Sequence, residues 1–170
     1  MCATVLAANI LVQYPFAPFG LADYLTWGAF TYPFTFLVND LTNRRLGPAR
    51  TRRVVYAGFA LAVVLSAIFA SPRIALASGS AFLAAQLLDV AVFSRLRQRA
   101  WWMPPLASGF VSSALDTVLF FSLAFAGTGL PWRSWALCDY AVKVLMVGVF
   151  LGPYRFLIAR MPVWQPAARA

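Results

Sequence analysis

Four aspartates, Asp40, Asp89, Asp116 and Asp139, lie inside or at the margin of runs apolar enough to cross a membrane. An aspartate at the centre of a membrane helix costs roughly 2.5 to 3.5 kcal/mol on insertion scales, so a carboxylate there faces a polar cavity, a partner cation or a transported solute. Polar and aromatic residues recur around these acids at helical spacing. Phe36, Asn39, Asp40 and Asn43 lie three or four apart, and Gln86 and Asp89 do the same with Phe82 and Phe93 flanking them. Ser112 and Ser113 come one turn before Asp116 and Phe120 one turn after it, while Asp139, Tyr140 and Lys143 share a later run. Carboxylate and amide oxygens take N–H groups and aromatic faces stack on a plane, so such a lining suits a flat polar ring, uncharged or cationic.

Each element also has a structural reading. Asp40 stands i,i+4 from Arg44 and either pairs with it or meets a ligand; Asp139 and Lys143, at the same spacing, either form an ion pair or contact the ligand directly. Asp89 lies about one and a half turns before Arg95, within reach of a snorkelling arginine. Asp116 has no basic residue within two turns of its own helix, which leaves ligand binding or proton handling as its role. Ser112 and Ser113 serve either as interhelical hydrogen-bonders or as ligands. The candidate binding set is Asp116, Asp89, Asp40, Asn39, Gln86, Phe36, Asp139 and Lys143. Asp116 and Asp89 are expected to share a cavity with Asp40, Asn39, Gln86 and Phe36.

What the chain lacks narrows the chemistry. Without histidine, neither a serine–histidine hydrolase nor a histidine metal site can be built, and Cys2 and Cys138 have no CxxC spacing. No GxxxxGK[ST] loop is present, so an ATP-driven step requires another subunit. The Gly-x-Gly-Asp setting of an intramembrane aspartyl protease is missing at Leu88-Asp89 and Leu115-Asp116. Catalysis, a metal and a cofactor are therefore not expected.

The elements that position these residues follow from composition. With 62% apolar residues, 11% charged and a mean hydropathy of +0.74, the chain reads as an integral membrane protein. At about 20 residues per span, 170 residues make roughly six helices in one transmembrane domain, with no room for a soluble catalytic domain. Apolar runs occupy about 3–16, 27–43, 54–71, 74–94, 104–126 and 132–158. Leu46-Gly47-Pro48, Ser71-Pro72, Pro104-Pro105 and Gly127-Thr128-Gly129-Leu130-Pro131 punctuate them. The runs are continuous rather than alternating, which predicts an all-α bundle and not a β-barrel. No internal repeat is visible. The first run gives about 21 Å of helix against a hydrocarbon core of about 30 Å, so either the true start lies upstream or this helix begins in the interface. A cleaved signal peptide is disfavoured by the lack of a basic segment before the apolar run.

Charge asymmetry orients the bundle. Arg44, Arg45, Arg50, Arg52 and Arg53 lie between runs two and three, Arg95, Arg97 and Arg99 between four and five, and Arg155, Arg160 and Arg169 at the end; the other loops hold Arg73 and Arg133. The positive-inside rule puts the arginine-rich loops and both termini in the cytoplasm. The net charge of +9 is thus a topology signal, and no nucleic-acid partner is expected, since the arginines lie in short loops without a folded platform. Trp27, Trp101, Trp102, Trp132 and Trp135 fall near helix ends, as interface anchors do.

The stretch from Trp27 through Phe30-Thr31-Tyr32-Pro33-Phe34-Thr35-Phe36 to Asn39-Asp40-Leu41-Thr42 resembles the signature of the queuosine precursor transporter family, also called the vitamin uptake transporter family. Leu88-Asp89 to Arg97 with Trp101-Trp102, Ser113 to Thr117 with Phe120-Phe121, and Asp139 to Lys143 are similar to it in the same order, as is the early Asn9 to Gln13. The N-terminal segment is shorter than the family's. The resemblance implies a multi-pass inner-membrane importer of 7-cyano-7-deazaguanine or 7-aminomethyl-7-deazaguanine, with the base held between helices by aspartates and phenylalanines. The competing readings are a transporter of another small heterocycle and a substrate-capture subunit that relies on a separate energising complex. For the latter, Ala3 and Ala7 would let a partner helix approach closely, and a homo-oligomer is left open.

Overall fold

The computed structural model describes residues 1–12, 14–69, 71–161 and 164. Gln13 and Arg169 of the sequence analysis, and the side chain of Asn9, lie outside the described residues. Helical segments dominate: α1 (Cys2–Leu11), α2 (Gly28–Thr31), α3 (Pro33–Leu46), α4 (Pro48–Phe69), α5 (Pro72–Leu96), α6 (Met103–Phe125) and α7 (Trp132–Ile158). No strand is formed among the described residues beyond an isolated bridge between Pro15 and Thr26. The protein is an all-α membrane bundle.

Three helices are long and apolar enough to cross a membrane, Pro72–Leu96, Met103–Phe125 and Trp132–Ile158. At 1.5 Å per residue they reach about 37, 35 and 40 Å, more than the hydrocarbon core of about 30 Å. The 22-residue α4 has the length but carries Arg50, Arg52 and Arg53 in its first turns. Cations there oppose the helix dipole, so those arginines do not stabilise the helix end.

Local chemistry explains the boundaries. Gly47 ends α3 at φ +79°, a conformation open to glycine, and Pro48 then opens α4 at a position where its missing N–H costs nothing. Ser71 caps α5 by accepting from the Ile74 N–H at 3.4 Å, with Pro72 at the first helical position. Arg73 reaches across to the far end of α6, where Nε donates to the Leu123 carbonyl at 2.9 Å and Nη2 to the Ala126 carbonyl at 2.6 Å. These are carbonyls that the end of a helix leaves unpaired.

The run expected over 27–43 extends to Leu46 and is interrupted at Pro33. Tyr32 keeps helical angles (φ −57°, ψ −41°), so α2 and α3 follow one path, but Pro33 has no N–H to give the Ala29 carbonyl. The interruption falls beside the site described below. The first helix occupies Cys2–Leu11 rather than 3–16, and the chain then turns through a loop whose base is closed by Phe16 N–H to the Leu25 carbonyl (2.9 Å) and Trp27 N–H to the Tyr14 carbonyl (3.0 Å).

Packing has two apolar centres. Val5, Val55, Ala62, Phe82 and Val90 join α1, α4 and α5, and Phe93, Tyr154 and Ile158 join α5 to α7. Between them α3 presents a polar stripe, Thr35, Asn39, Asp40 and Asn43, all buried. Such a stripe is tolerated because each residue finds interhelical partners.

Candidate functional site

Tyr32, Asp116, Asp139 and Lys143 come from three different stretches of chain and meet at the bottom of a cavity. Lys143, the chain's single lysine, places Nζ 2.7 Å from Asp116 Oδ2 and 2.5 Å from Asp139 Oδ2. Tyr32 donates its hydroxyl to Asp116 Oδ1 at 2.8 Å, and the Lys143 ammonium lies 5.1 Å from the centre of the Tyr32 ring. Thr117 donates to Asp139 Oδ2 at 2.9 Å and accepts from Lys143 at 3.3 Å. Both oxygens of Asp116 are therefore occupied. No hydrogen bond from the described residues falls on Asp139 Oδ1. Two carboxylates face one ammonium, so the group carries one net negative charge.

The cavity above this group has a volume of about 620 Å³, within the range of about 300 to 1,000 Å³ usual for small-molecule sites. Its walls are Ala8 of α1, Val12 just after it, Gly28 and Ala29 of α2, Ile74, Ser78 and Ala81 of α5, Phe120, Phe121 and Phe125 of α6 and Trp135 of α7. Ala22 to Thr26 of the first loop stand at its mouth beside Ser71. The aromatic wall is a chain of ring contacts: Phe120 to Phe121 at 5.2 Å, Phe121 to Phe125 at 5.9 Å and Phe125 to Trp135 at 5.6 Å between centroids. Rings so arranged offer faces for stacking a planar solute above a charged floor.

The remaining candidates form a second polar layer further along α3. Asn39 donates through Nδ2 to Asp89 Oδ2 at 2.7 Å and to the Gln86 carbonyl at 3.1 Å, while Gln86 Nε2 donates to Thr35 Oγ1 at 2.7 Å. Ser108 of α6 donates to Asp40 Oδ1 at 3.3 Å. Phe36 is buried against Tyr32 (5.9 Å between centroids) and borders, with Asp40, a crevice of about 20 Å³, far too small for a heterocycle. The structure thus brings Asp116, Asp139 and Lys143 together in one cavity and gathers Asn39, Asp40, Gln86 and Asp89 in another layer, with Phe36 between the two. Neither Asp40 with Arg44 nor Asp89 with Arg95 forms an ion pair; the two ion pairs among the described residues both belong to Lys143.

Sequence reasoning missed three features. The Lys143–Asp116 contact joins different helices, and the sign that pointed to it was a lone lysine inside an apolar run. Tyr32 entered only as a member of the signature stretch, although it precedes Phe36 by one helical turn. Trp135, read as an interface anchor, lines the cavity.

At the opposite end of the bundle the arginines converge. Arg97 Nη2 donates to Asn43 Oδ1, and its guanidinium stacks 5.0 Å from the Trp164 ring. Trp164 N–H in turn donates to the Arg44 carbonyl at 2.9 Å, and Arg155 lies 4.9 Å over Trp101. Cavity mouth and arginine cluster therefore occupy opposite ends of the molecule.

A helical membrane bundle with a ligand-sized cavity floored by intramembrane charges has the architecture of a small-molecule membrane transporter. Residues 26–71 and 65–157 match the family described as "Putative vitamin uptake transporter", and the chain belongs to that family. It is 37% identical, over 92% of its length and 82% of the relative's, to the "Queuosine precursor transporter" of Escherichia coli (strain K12). It is also similar to two proteins called "Probable queuosine precursor transporter": that of Haemophilus influenzae at 34% identity, over 86% of this chain and 77% of the relative, and that of Bacillus subtilis (strain 168) at 29%, over 94% and 81%. No solved structure matches the chain.

Proposed function

We propose that this protein imports queuosine precursors, 7-cyano-7-deazaguanine and 7-aminomethyl-7-deazaguanine, across a bacterial inner membrane, and that the base binds in the cavity above Asp116, Lys143 and Asp139. The relatives' names support the substrate class. The observation that carries the site is the combination of a stacking wall, Phe120 to Trp135, with a buried charged floor that retains a free carboxylate oxygen on Asp139. A deazaguanine ring presents N1–H and an exocyclic amine side by side, a donor pair that one carboxylate accepts. The net negative charge of the floor also favours the aminomethyl form, whose side chain is a cation.

In this reading residues 1–170 form one transmembrane unit with both termini cytoplasmic. The arginine cluster lies on the cytoplasmic side and the cavity opens outward, so the conformation is the one that receives its solute from outside. Asn39, Asp40, Gln86, Asp89 and Phe36 lie beneath the cavity floor, on the path the base takes inward. Uptake is tested in cells that lack their own route for these bases and express this chain alone. Labelled 7-aminomethyl-7-deazaguanine should accumulate in them and appear in transfer RNA. Uptake no greater than in cells without the chain overturns the reading.

A further inference from the structure

The second polar layer contains more hydrogen-bond acceptors than donors. Asp40 and Asp89 are buried, at 4% and 0% exposure, and Ser108 donates to Asp40. A serine hydroxyl owns one hydrogen, and here Asp40 takes it. Asn39 Nδ2 supplies Asp89 Oδ2, but Asp89 Oδ1, Asn39 Oδ1 and Gln86 Oε1 are buried with no protein partner among the described residues. Unpartnered acceptors of this kind are costly in a membrane interior, and they call for a hydrogen that the side chains in their ionised state do not have.

No cation answers the two acids. On α3 itself Arg44 forms no ion pair with either acid and its Nε has no partner among the described residues, Arg97 of α5 binds Asn43 and Trp164, and the buried Tyr154 hydroxyl of α7 makes no hydrogen bond among the described residues. Lys143 of α7 is held by Asp116 and Asp139, and Asp116 of α6 is in turn held by Tyr32 and Lys143. Arg50, Arg52, Arg53 and Tyr56 of α4 and Cys2 of α1 are exposed. Two buried carboxylates without a counter-ion are relieved by taking up a proton, as neighbouring carboxyls do elsewhere.

We infer that the buried carboxyls Asp40 and Asp89 form a proton site that holds one proton, and that this proton is carried inward with the base. The inference rests on the transport function proposed above. Its location suits the task, since the layer sits directly below the cavity floor on the same stripe of α3: Tyr32 binds Asp116 at the floor, Thr35 and Asn39 lead down by one turn each, and Asn43 continues to the arginine end. A shift of α3 against α5 and α6 then exposes the pair to one side or the other, loading a proton from outside and releasing it inside. Asp116, which has its own cation, is left as a ligand.

The test uses the purified full chain in liposomes with the membrane potential clamped at zero and the neutral base 7-cyano-7-deazaguanine as labelled solute. With the outside one pH unit more acidic, wild-type protein should concentrate the base inside by about tenfold, the ratio that one proton per base sets, and a trapped pH dye should report acidification with each base taken in. Asp89→Asn and Asp40→Asn should lose the accumulation above equal concentrations and the acidification together. Exchange by the wild type without accumulation or acidification overturns the coupling while leaving the transport function intact. Accumulation driven by an inward sodium gradient instead, or undiminished proton-driven accumulation in both variants, overturns it as well. If the wild type exchanges no base at all, it is the function proposed above that fails. The pH-dye measurement on the wild type decides the coupling even where an asparagine variant does not insert.

Discussion

Asp116 and Lys143 organise the floor of the cavity, and their energetics differ from those of exposed charges. A buried ion pair adds little net stability over an apolar pair, but removing one partner strands the other at a cost of about 3 to 5 kcal/mol. Lys143→Met should therefore strand Asp116 and Asp139 together and sharply lower the thermal stability of the detergent-solubilised protein. Asp116→Asn is milder, because Lys143 keeps Asp139 and Tyr32 keeps an acceptor; protein level in the membrane should persist while uptake is abolished, read by immunoblot and labelled-base uptake on the same cells. The acids were legible in the sequence because a carboxylate in an apolar run is an anomaly, and the Asp139–Lys143 pair because i,i+4 spacing fixes it locally. The Asp116–Lys143 pair was not, since it depends on how α6 and α7 face each other. The separation of Asp89 from Asp116 was hidden for the same reason: helical periodicity tells which residues share a face, not at which depth two faces meet.

Among the elements, α3 and the α6–α7 contact set the geometry of the site. Helix order and most boundaries follow from Gly47-Pro48, Ser71-Pro72 and the glycine-rich link before Pro131, all readable in the sequence. The short α2 was not readable, because Pro33 inside an apolar run gives no sign of whether the chain stops or continues on a helical path. The approach of α6 to α7 depends on Gly109, where an added Cβ would lie 2.8 Å from Val147 Cγ2 and 2.9 Å from Cγ1. Valine is stiff at χ1 and cannot swing both methyls away, so Gly109→Ala must push the helices apart. Thermal unfolding should show a loss of about 1 to 3 kcal/mol, the usual cost of overpacking, and Val147→Ala added to it should recover most of that loss. Because α7 carries Asp139 and Lys143, the single variant should also weaken base binding.

At the scale of the molecule, the cavity opens at the end where α5 and α7 begin and α6 ends, and the arginines gather at the other. Charge asymmetry along the sequence foretold two unlike ends, while the cavity, built from five helices and a loop, is a property of the assembled bundle. With the arginine end cytoplasmic, Arg133→Cys in a background with Cys2 and Cys138 replaced by serine should react with an impermeant maleimide in intact cells; reaction after lysis alone contradicts the orientation. On the function proposed above, this one chain binds a deazaguanine base and carries it across a membrane without another subunit. Counterflow by the purified protein in liposomes preloaded with unlabelled 7-aminomethyl-7-deazaguanine measures this directly. Transient accumulation of labelled base inside, abolished by Asp116→Asn, is the expected result; no exchange by the wild-type protein alone would contradict the proposed function.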